Sequence, residues 1–204
     1  MKYLYHRIGY DSLPMFLLDV LAKFGIYIQP FYFIQEGLYE GMDREFADRF
    51  SDFSFRYLDK RDMKNIASQV ERNVPLKQLL SHLEKGRRCF GCLVGDELVA
   101  FSWFNLDTCT YPGYNFRLAY DEAYLFDAYT FPQYRGRGIA PYVRYRLYKE
   151  LEALGRTNLL SVSERYNKPA VQFKLKLKAT IKDKGVRLVL FNRWQHTFLS
   201  RKQH

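Results

Sequence analysis

The run Gln133-Tyr134-Arg135-Gly136-Arg137-Gly138 stands between an apolar run, Ala123 to Phe131, and a segment with Pro141 near its start and Gly155 at its close. Two glycines one residue apart, each preceded by an arginine, suit the capture of an anion. A helix N-terminus exposes unpaired amides and a partial positive charge. A loop that turns further amides inward can hold phosphate oxygens by main chain alone. Glycine is needed where a side chain would block approach or where φ must be positive. The pattern is not the Gly-x-Gly-x-x-Gly of a dinucleotide site, because Pro141 stands where the third glycine belongs. It is not a P-loop either, because no Gly-Lys-Ser/Thr follows. The competing reading is a plain strand-to-helix turn.

Asp121, Glu122 and Asp127 lie on or beside the strand that leads into this junction. A carboxylate inside an apolar strand needs a reason, since burial of an unpaired charge is costly. Asp127 reads as half of an ion pair or as a group held for chemistry. Glu122 reads as a solvated strand start or as a second such group. Cys89-Phe90-Gly91-Cys92 has the spacing of a redox pair but sits in a strand pattern, not at a helix N-terminus. Cys109 and scattered histidines supply no matching zinc ligands, so no metal site is expected. The cysteines read as small hydrophobes in a reducing, cytoplasmic compartment.

The elements that must position these residues follow from periodicity. Phe53 to Leu58 alternates as a strand, and Asp59 can cap a helix carrying Met63, Ile66 and Val70. Pro75 opens a second helix with Leu76, Leu79, Leu80 and Leu83, and Gly86 stops it. Gly95-Asp96 marks a hairpin. Tyr111-Pro112-Gly113-Tyr114 is a turn or loop. The helix after the glycine junction aligns Val143, Leu147, Leu151 and Leu154. Asn158 to Ser163 is a short strand. Asn167-Lys168-Pro169-Ala170 reads as a cap and first helical turn. The following Phe173-Lys174-Leu175-Lys176-Leu177-Lys178 alternates like a strand, but the cap and the preceding strand favour a helix. Lys182 to Phe191 and Trp194 to Leu199 close the chain as strands. Residues 1–50 look like an aromatic-rich extension packed on a 51–204 core, and Pro30 within IYIQPFYFIQ argues for an edge position or a bend. The order is that of a mixed α/β layer fold.

The chain has 204 residues, 48% of them hydrophobic, and a net charge of +10. It can build a substantial core, and its charge favours an anionic partner: nucleic acid, a membrane surface or a phosphorylated small molecule. No repeated basic-aromatic spacing supports nucleic acid. No apolar stretch reads as a membrane span, and the N-terminus lacks a signal-peptide cleavage site. The many early aromatics, such as Phe31-Tyr32-Phe33, read as core packing and as a face for a second subunit, which suggests a homodimer.

Gln133-x-x-Gly136-x-Gly138 followed by Ile139-Ala140 resembles the signature of the GCN5-related N-acetyltransferase (GNAT) family. Pro132, the strand before it and the helix after it match that context. Asn167-x-x-Ala170 resembles the family's second helix motif. The resemblance covers about residues 53–195 and implies a mostly antiparallel central sheet flanked by helices, with acetyl-CoA as co-substrate and an amine-bearing acceptor. It implies that Tyr134, Arg135, Gly136, Arg137, Gly138, Ile139 and Ala140, with Gln133, hold the pyrophosphate. It further implies that Tyr129 and Thr130 lend main chain to the pantetheine arm and that Asn167 touches the cofactor. Asp127 would lie near the thioester, with Glu122 near the base position of some relatives. The family's usual acid, a tyrosine four residues after the motif's alanine, is replaced by Lys174, and Tyr166 is a substitute. A non-catalytic module that binds CoA or nucleic acid remains as the alternative, and a third reading has a different acyl donor, such as acyl carrier protein. Small amines, amino sugars, protein N-termini and lysines remain open as acceptors.

Overall fold

A computed structural model of the chain describes residues 13–37 and 49–200. The elements in chain order are α1 (Leu13–Lys23), β1 (Ile26–Gln35), β2 (Phe53–Tyr57), α2 (Asp62–Ala67), α3 (Leu76–Glu84), β3 (Arg88–Val94), β4 (Glu97–Asn105), β5 (Thr108–Tyr111), β6 (Tyr114–Arg117), β7 (Glu122–Thr130), α4 (Ile139–Ala153), β8 (Asn158–Glu164), α5 (Lys168–Lys176), β9 (Thr180–Leu190) and β10 (Trp194–Leu199). Eight strands form one sheet in the order β10-β9-β1-β8-β7-β4-β3-β2, and β5 and β6 form a separate hairpin. Every neighbouring pair in the large sheet is antiparallel except β7 with β8. This is the expected mixed α/β fold with a mostly antiparallel sheet. The expectation about a cleavage site at the start of the chain falls outside the described residues.

The sheet is covered on both faces. On one face Val143, Leu147 and Leu151 of α4 pack with Cys92, Ala100, Leu125 and Leu159. On the other, Met63 and Ile66 of α2 and Leu79 of α3 pack with Cys89, Leu93, Phe101 and Trp103. Each fully buried leucine or isoleucine contributes about 1.5–3 kcal/mol relative to an exposed one. Cys89 and Cys92 thus face opposite layers, so they cannot meet as a redox pair. Burial pushes the Cys92 thiol up to about 12.

Helix α5 resolves the ambiguous lysine-leucine run. Asn167 Oδ1 accepts the Ala170 amide at 3.2 Å, capping the helix. Val171, Lys174 and Leu177 are buried at helical spacing while Leu175 is exposed, the reverse of strand alternation. Three smaller expectations need correction. Val70 is exposed because α2 ends at Ala67, and Leu154 is exposed because α4 ends at Ala153. Asp59 does not cap α2 directly; its Oδ1 accepts from Arg61, and Asp62 reaches back to the Asp59 amide.

Strand β1 is not at an edge. It lies inside the sheet, between β8 and β9. Pro30 is tolerated there because β1 begins pairing with β8 at Phe31↔Glu164, one residue later. The Pro30 carbonyl accepts from the Arg165 amide just past the end of β8, so the missing N–H faces a position where no ladder bond is due. Phe31 and Phe33 pack under the β5–β6 hairpin, with Phe31 and Tyr111 centroids 4.6 Å apart. After β1 the chain passes so close to the end of α5 that a Cβ on Gly37 would lie 2.4 Å from the Leu177 carbonyl oxygen. That approach carries Glu36 into the interior.

Candidate active site

Strands β7 and β8 pair only from Glu122↔Asn158 to Leu125↔Ser161. Beyond this β7 continues against β4 alone and β8 against β1 alone. Two strands that part leave backbone groups facing a gap, and such groups need a partner. The parting coincides with a bulge. Phe101 opposes Tyr129 and Trp103 opposes Phe126, so Ser102 faces both Asp127 and Ala128. Asp127 takes a φ of 46°, in the left-handed region that aspartate tolerates better than most residues. A bulge turns a strand and re-aims its side chains.

Here it aims Asp127 toward the α2–α3 face. Asp127 Oδ2 accepts from Arg72 Nη2 at 2.6 Å. Arg72 is 6% exposed and lies 4.8 Å over both the Phe101 and Tyr129 rings. Beside them is a cavity of about 330 Å³, lined in part by Arg72, His82, Arg87, Tyr124, Phe126 and Asp127. Burial, then the neighbouring Arg87 charge, pull the His82 imidazole down to about 4. It is therefore neutral at physiological pH.

At the far end of β7 the glycine junction forms an open cradle. Gly138 caps α4 with φ 79°, and Gly136 has φ 77° with nothing near where a Cβ would stand. The amides of Gly136, Arg137, Gly138, Ile139 and Ala140 donate to no described residue. Arg49, which sequence reasoning missed, donates from Nη2 to the Arg137 carbonyl at 2.9 Å and lies beside Gly138. The unpartnered amides, the open glycine and the arginines fit a pyrophosphate.

Behind the gap, on the α4–α5 face, lies a buried ionic cluster. Lys174 Nζ donates to Ser161 and Ser163 hydroxyls, each at 2.8 Å, and lies 3.4 Å from Glu36 Oε1. Arg144 lies 3.7 Å from the same oxygen and donates to Ser102 at 3.0 Å. Tyr148 donates to the other Glu36 oxygen. Burial alone would raise the Glu36 carboxyl, but Arg144, Lys174, Ser161 and Tyr148 outweigh it and hold it at about 2. Burial pulls Lys174 down to about 8 against the attraction of Glu36, and Arg144 adds to the fall. The two directions agree. One carboxylate cannot balance two cations, arginine does not release its proton, and lysine is the cation that can yield.

The sequence-predicted residues divide by place. Tyr129 and Thr130 line a small cleft with Ser102, Ala140 and Arg144 at the bulge. The Thr130 carbonyl accepts from Arg135 Nε at 3.1 Å, and Arg135 pairs with Glu71 at 2.8 Å. Gln133 donates to Glu97 at 3.3 Å, and Arg137 stacks 5.4 Å over the Tyr134 ring. Ile139 is buried and anchors the helix start. Tyr166 and Asn167 stand just past β8, where Asn167 is occupied as the α5 cap. Glu122 stands apart. It lies five residues before Asp127, roughly 16 Å along the strand, where β7 and β8 are still paired. Its oxygens accept from the Ala119 amide at 2.9 Å and Asn158 Nδ2 at 3.1 Å, which locks the strand start. Sequence reasoning also missed Arg72, His82, Arg87, Glu36 and Arg144. Only Glu36, a carboxylate directly after an apolar strand, carried a signal like that of Asp127.

Comparison with known proteins decides the family. The acetyltransferase (GNAT) family profile matches residues 39–177. The chain belongs to the GNAT family. Among solved structures, a Staphylococcus epidermidis protein of unknown function aligns with TM-score 0.59 at 7% identity, over 88% of this chain and 68% of its own. A Drosophila protein aligns with TM-score 0.56 at 14% identity over 90% of this chain, which spans 58% of that protein's length. A GNAT-family protein from Novosphingobium aromaticivorans aligns with TM-score 0.54 at 15% identity, over 88% of this chain and 69% of its own. These likenesses concern fold. A search of curated protein sequences finds no match. GNAT membership supports acetyl transfer in general. Among the described residues no helix is long and apolar enough to cross a membrane.

Proposed function

We propose that this GNAT protein transfers an acetyl group from acetyl-CoA to a primary amine, by direct attack of the amine on the thioester. The observation that carries this reading is the gap between β7 and β8, which leads to the amides of Gly136 to Ala140, unpartnered among the described residues. Acetyl-CoA supplies the activated acetyl group and a pyrophosphate suited to that cradle. Arg49, Arg135 and Arg137 add positive charge around it. Tyr129 and Thr130 offer main chain along the gap, and Asn167 offers its position at the start of α5.

Asp127 is the proton acceptor in this reading, through Oδ1, which no described residue occupies. His82 is unsuited to the task. Its Nδ1 is engaged by Arg87, which can only donate, so its own proton resides on Nε2. Glu122 is held at the strand start. Lys174 Nζ, at the family's tyrosine position, holds a proton for the departing sulfur, with Tyr166 as the second donor. A lysine drawn to about 8 is close to an ordinary thiol. The free, buried cysteines fit a reducing cytoplasm.

Purified protein, acetyl-CoA and a panel of amines test the proposal by thiol release. Amine-dependent release that disappears in Gly138→Asp is the expected result. Equal acetyl-CoA binding by Gly138→Asp and wild type overturns the cradle. A second reading, a non-catalytic binder, draws on the complete engagement of Lys174 by Ser161, Ser163 and Glu36. It predicts CoA binding without thiol release, or oligonucleotide binding with a steep salt slope.

A further inference from the structure

The cavity on the α2–α3 face holds more positive charge than its own carboxylate balances. Arg72 is matched by Asp127. Arg87 has no such partner among the described residues. Its Nη1 lies 2.5 Å from His82 Nδ1, a neutral acceptor, and its guanidinium lies 5.5 Å from the centre of the Phe126 ring. No described carboxylate forms an ion pair with it. A half-buried cation fixed by one neutral hydrogen bond and one ring gains most from an incoming anion, through charge-assisted bonds from a planar fork. The imidazole and ring hold that fork in place before the ligand arrives.

We propose that the acceptor is an amine that also carries a carboxylate or phosphate, with the anion seated on Arg87 and the amine at Asp127. This rests on the acetyl-transfer reading of the same site. Charge balance carries the choice. Arg72, Arg87 and Asp127 sum to a positive cavity, which repels a simple ammonium and accommodates an amine with its own negative group. A volume of about 330 Å³ suits a molecule of amino-acid or amino-phosphate size. Tyr124 and Phe126 give its body an aromatic wall.

Matched amine pairs test this: phenylalanine against phenylalaninamide for carboxylate, and phosphoethanolamine against ethanolamine for phosphate. Thiol release is expected to favour the anionic member of one pair by about tenfold or more in kcat/KM. That pair identifies the anion. Arg87→Met is expected to collapse the preference to about twofold, and Arg87→Lys to retain part of it. Equal use of the paired amines by wild type, or a preference that survives Arg87→Met, overturns the proposal. If no amine is acetylated, the acetyl-transfer reading fails and the subsite is judged by calorimetry with inorganic phosphate and acetate. Binding of either by wild type but not by Arg87→Met then upholds the subsite. Equal binding by the two proteins, or none by wild type, overturns it. Should Arg87→Met not fold, Arg87→Lys and Arg87→Gln carry the same comparison.

Discussion

The two faces of the sheet treat charge in opposite ways. On the α4–α5 face, Glu36, Arg144 and Lys174 are almost fully buried and linked to one another and to hydroxyls of Ser102, Tyr148, Ser161 and Ser163. On the α2–α3 face, Arg72, Arg87 and Asp127 line an open cavity, and no described residue gives Arg87 an anion. A closed cluster orders the structure around it, because each member is held by the rest. An open, unbalanced one leaves a charge for a ligand to answer. In the proposed reading the same residue types serve mainly architecture on one side, where Lys174 also holds a proton, and recognition on the other.

The largest effect should come from breaking the closed cluster. Glu36→Gln leaves Arg144 and Lys174 as buried cations without their anion. Loss of one partner from a buried ionic group costs about 3–5 kcal/mol, read as a shift in the urea midpoint. Acid should act in the same direction. Glu36 is held at about 2 against an ordinary 4.5. Its contribution is present above pH 4.5 and is lost as pH falls through the folded value. A Glu36→Gln protein as stable as wild type at pH 7 would show that the cluster is not structural.

On the open face, a change should be felt in activity more than in folding. Asp127→Asn keeps a side chain that tolerates the positive φ at the bulge while removing the proposed proton acceptor. Loss of a general base lowers kcat by about 100-fold or more, and acetyl-CoA affinity by calorimetry should hold within about twofold. Unchanged kcat would move the base elsewhere and weaken the contrast between faces.

The glycine junction was legible in the chain because it is local. Gly136 and Gly138 need positive φ, and Pro141 follows in the first turn of α4, all within six residues. Helices α3, α4 and α5 were legible from apolar spacing and caps. The interior place of β1 was hidden, because Pro30 suggests an edge or a bend and only the register with Glu164 shows why it is tolerated. The cavity proposed for the acceptor was hidden for another reason. Arg72, Arg87 and Asp127 come from separate connections and a bulge, and no sequence period links them. Asp127 was legible as an anomaly in an apolar strand, but its partner was not.

A middle-sized effect should separate Lys174 from the rest of its cluster. Its folded value is drawn to about 8 against an ordinary 10.5. Between those pH values the unfolded chain binds more protons than the folded one, so this group's contribution to stability rises with pH across the window. Lys174→Met lacks that rise. The difference in unfolding free energy, wild type minus variant, should grow by about 1–3 kcal/mol from pH 8 to 10.5. Subtraction removes the tyrosines and cysteines that titrate in the same range. Parallel profiles would mean that Lys174 titrates normally and is no reservoir for a proton.

The smallest effect should arise where the two faces touch. The segment between α2 and α3 carries Arg72 to Asp127 and, one residue earlier, Glu71 to Arg135 of the cradle loop. The second pair is half exposed, with 50% and 48% of its side chains accessible, so solvent screens it. A double-mutant cycle with Glu71→Gln and Arg135→Gln should give a coupling below about 1 kcal/mol that shrinks in salt. The same cycle read on acetyl-CoA affinity tests whether the acceptor face reports to the donor cradle. Coupling near zero makes the faces independent modules that share a strand. Coupling that is large and insensitive to salt would instead make the Glu71–Arg135 contact a lever between them, and the contrast between a structural face and a recognition face would no longer hold.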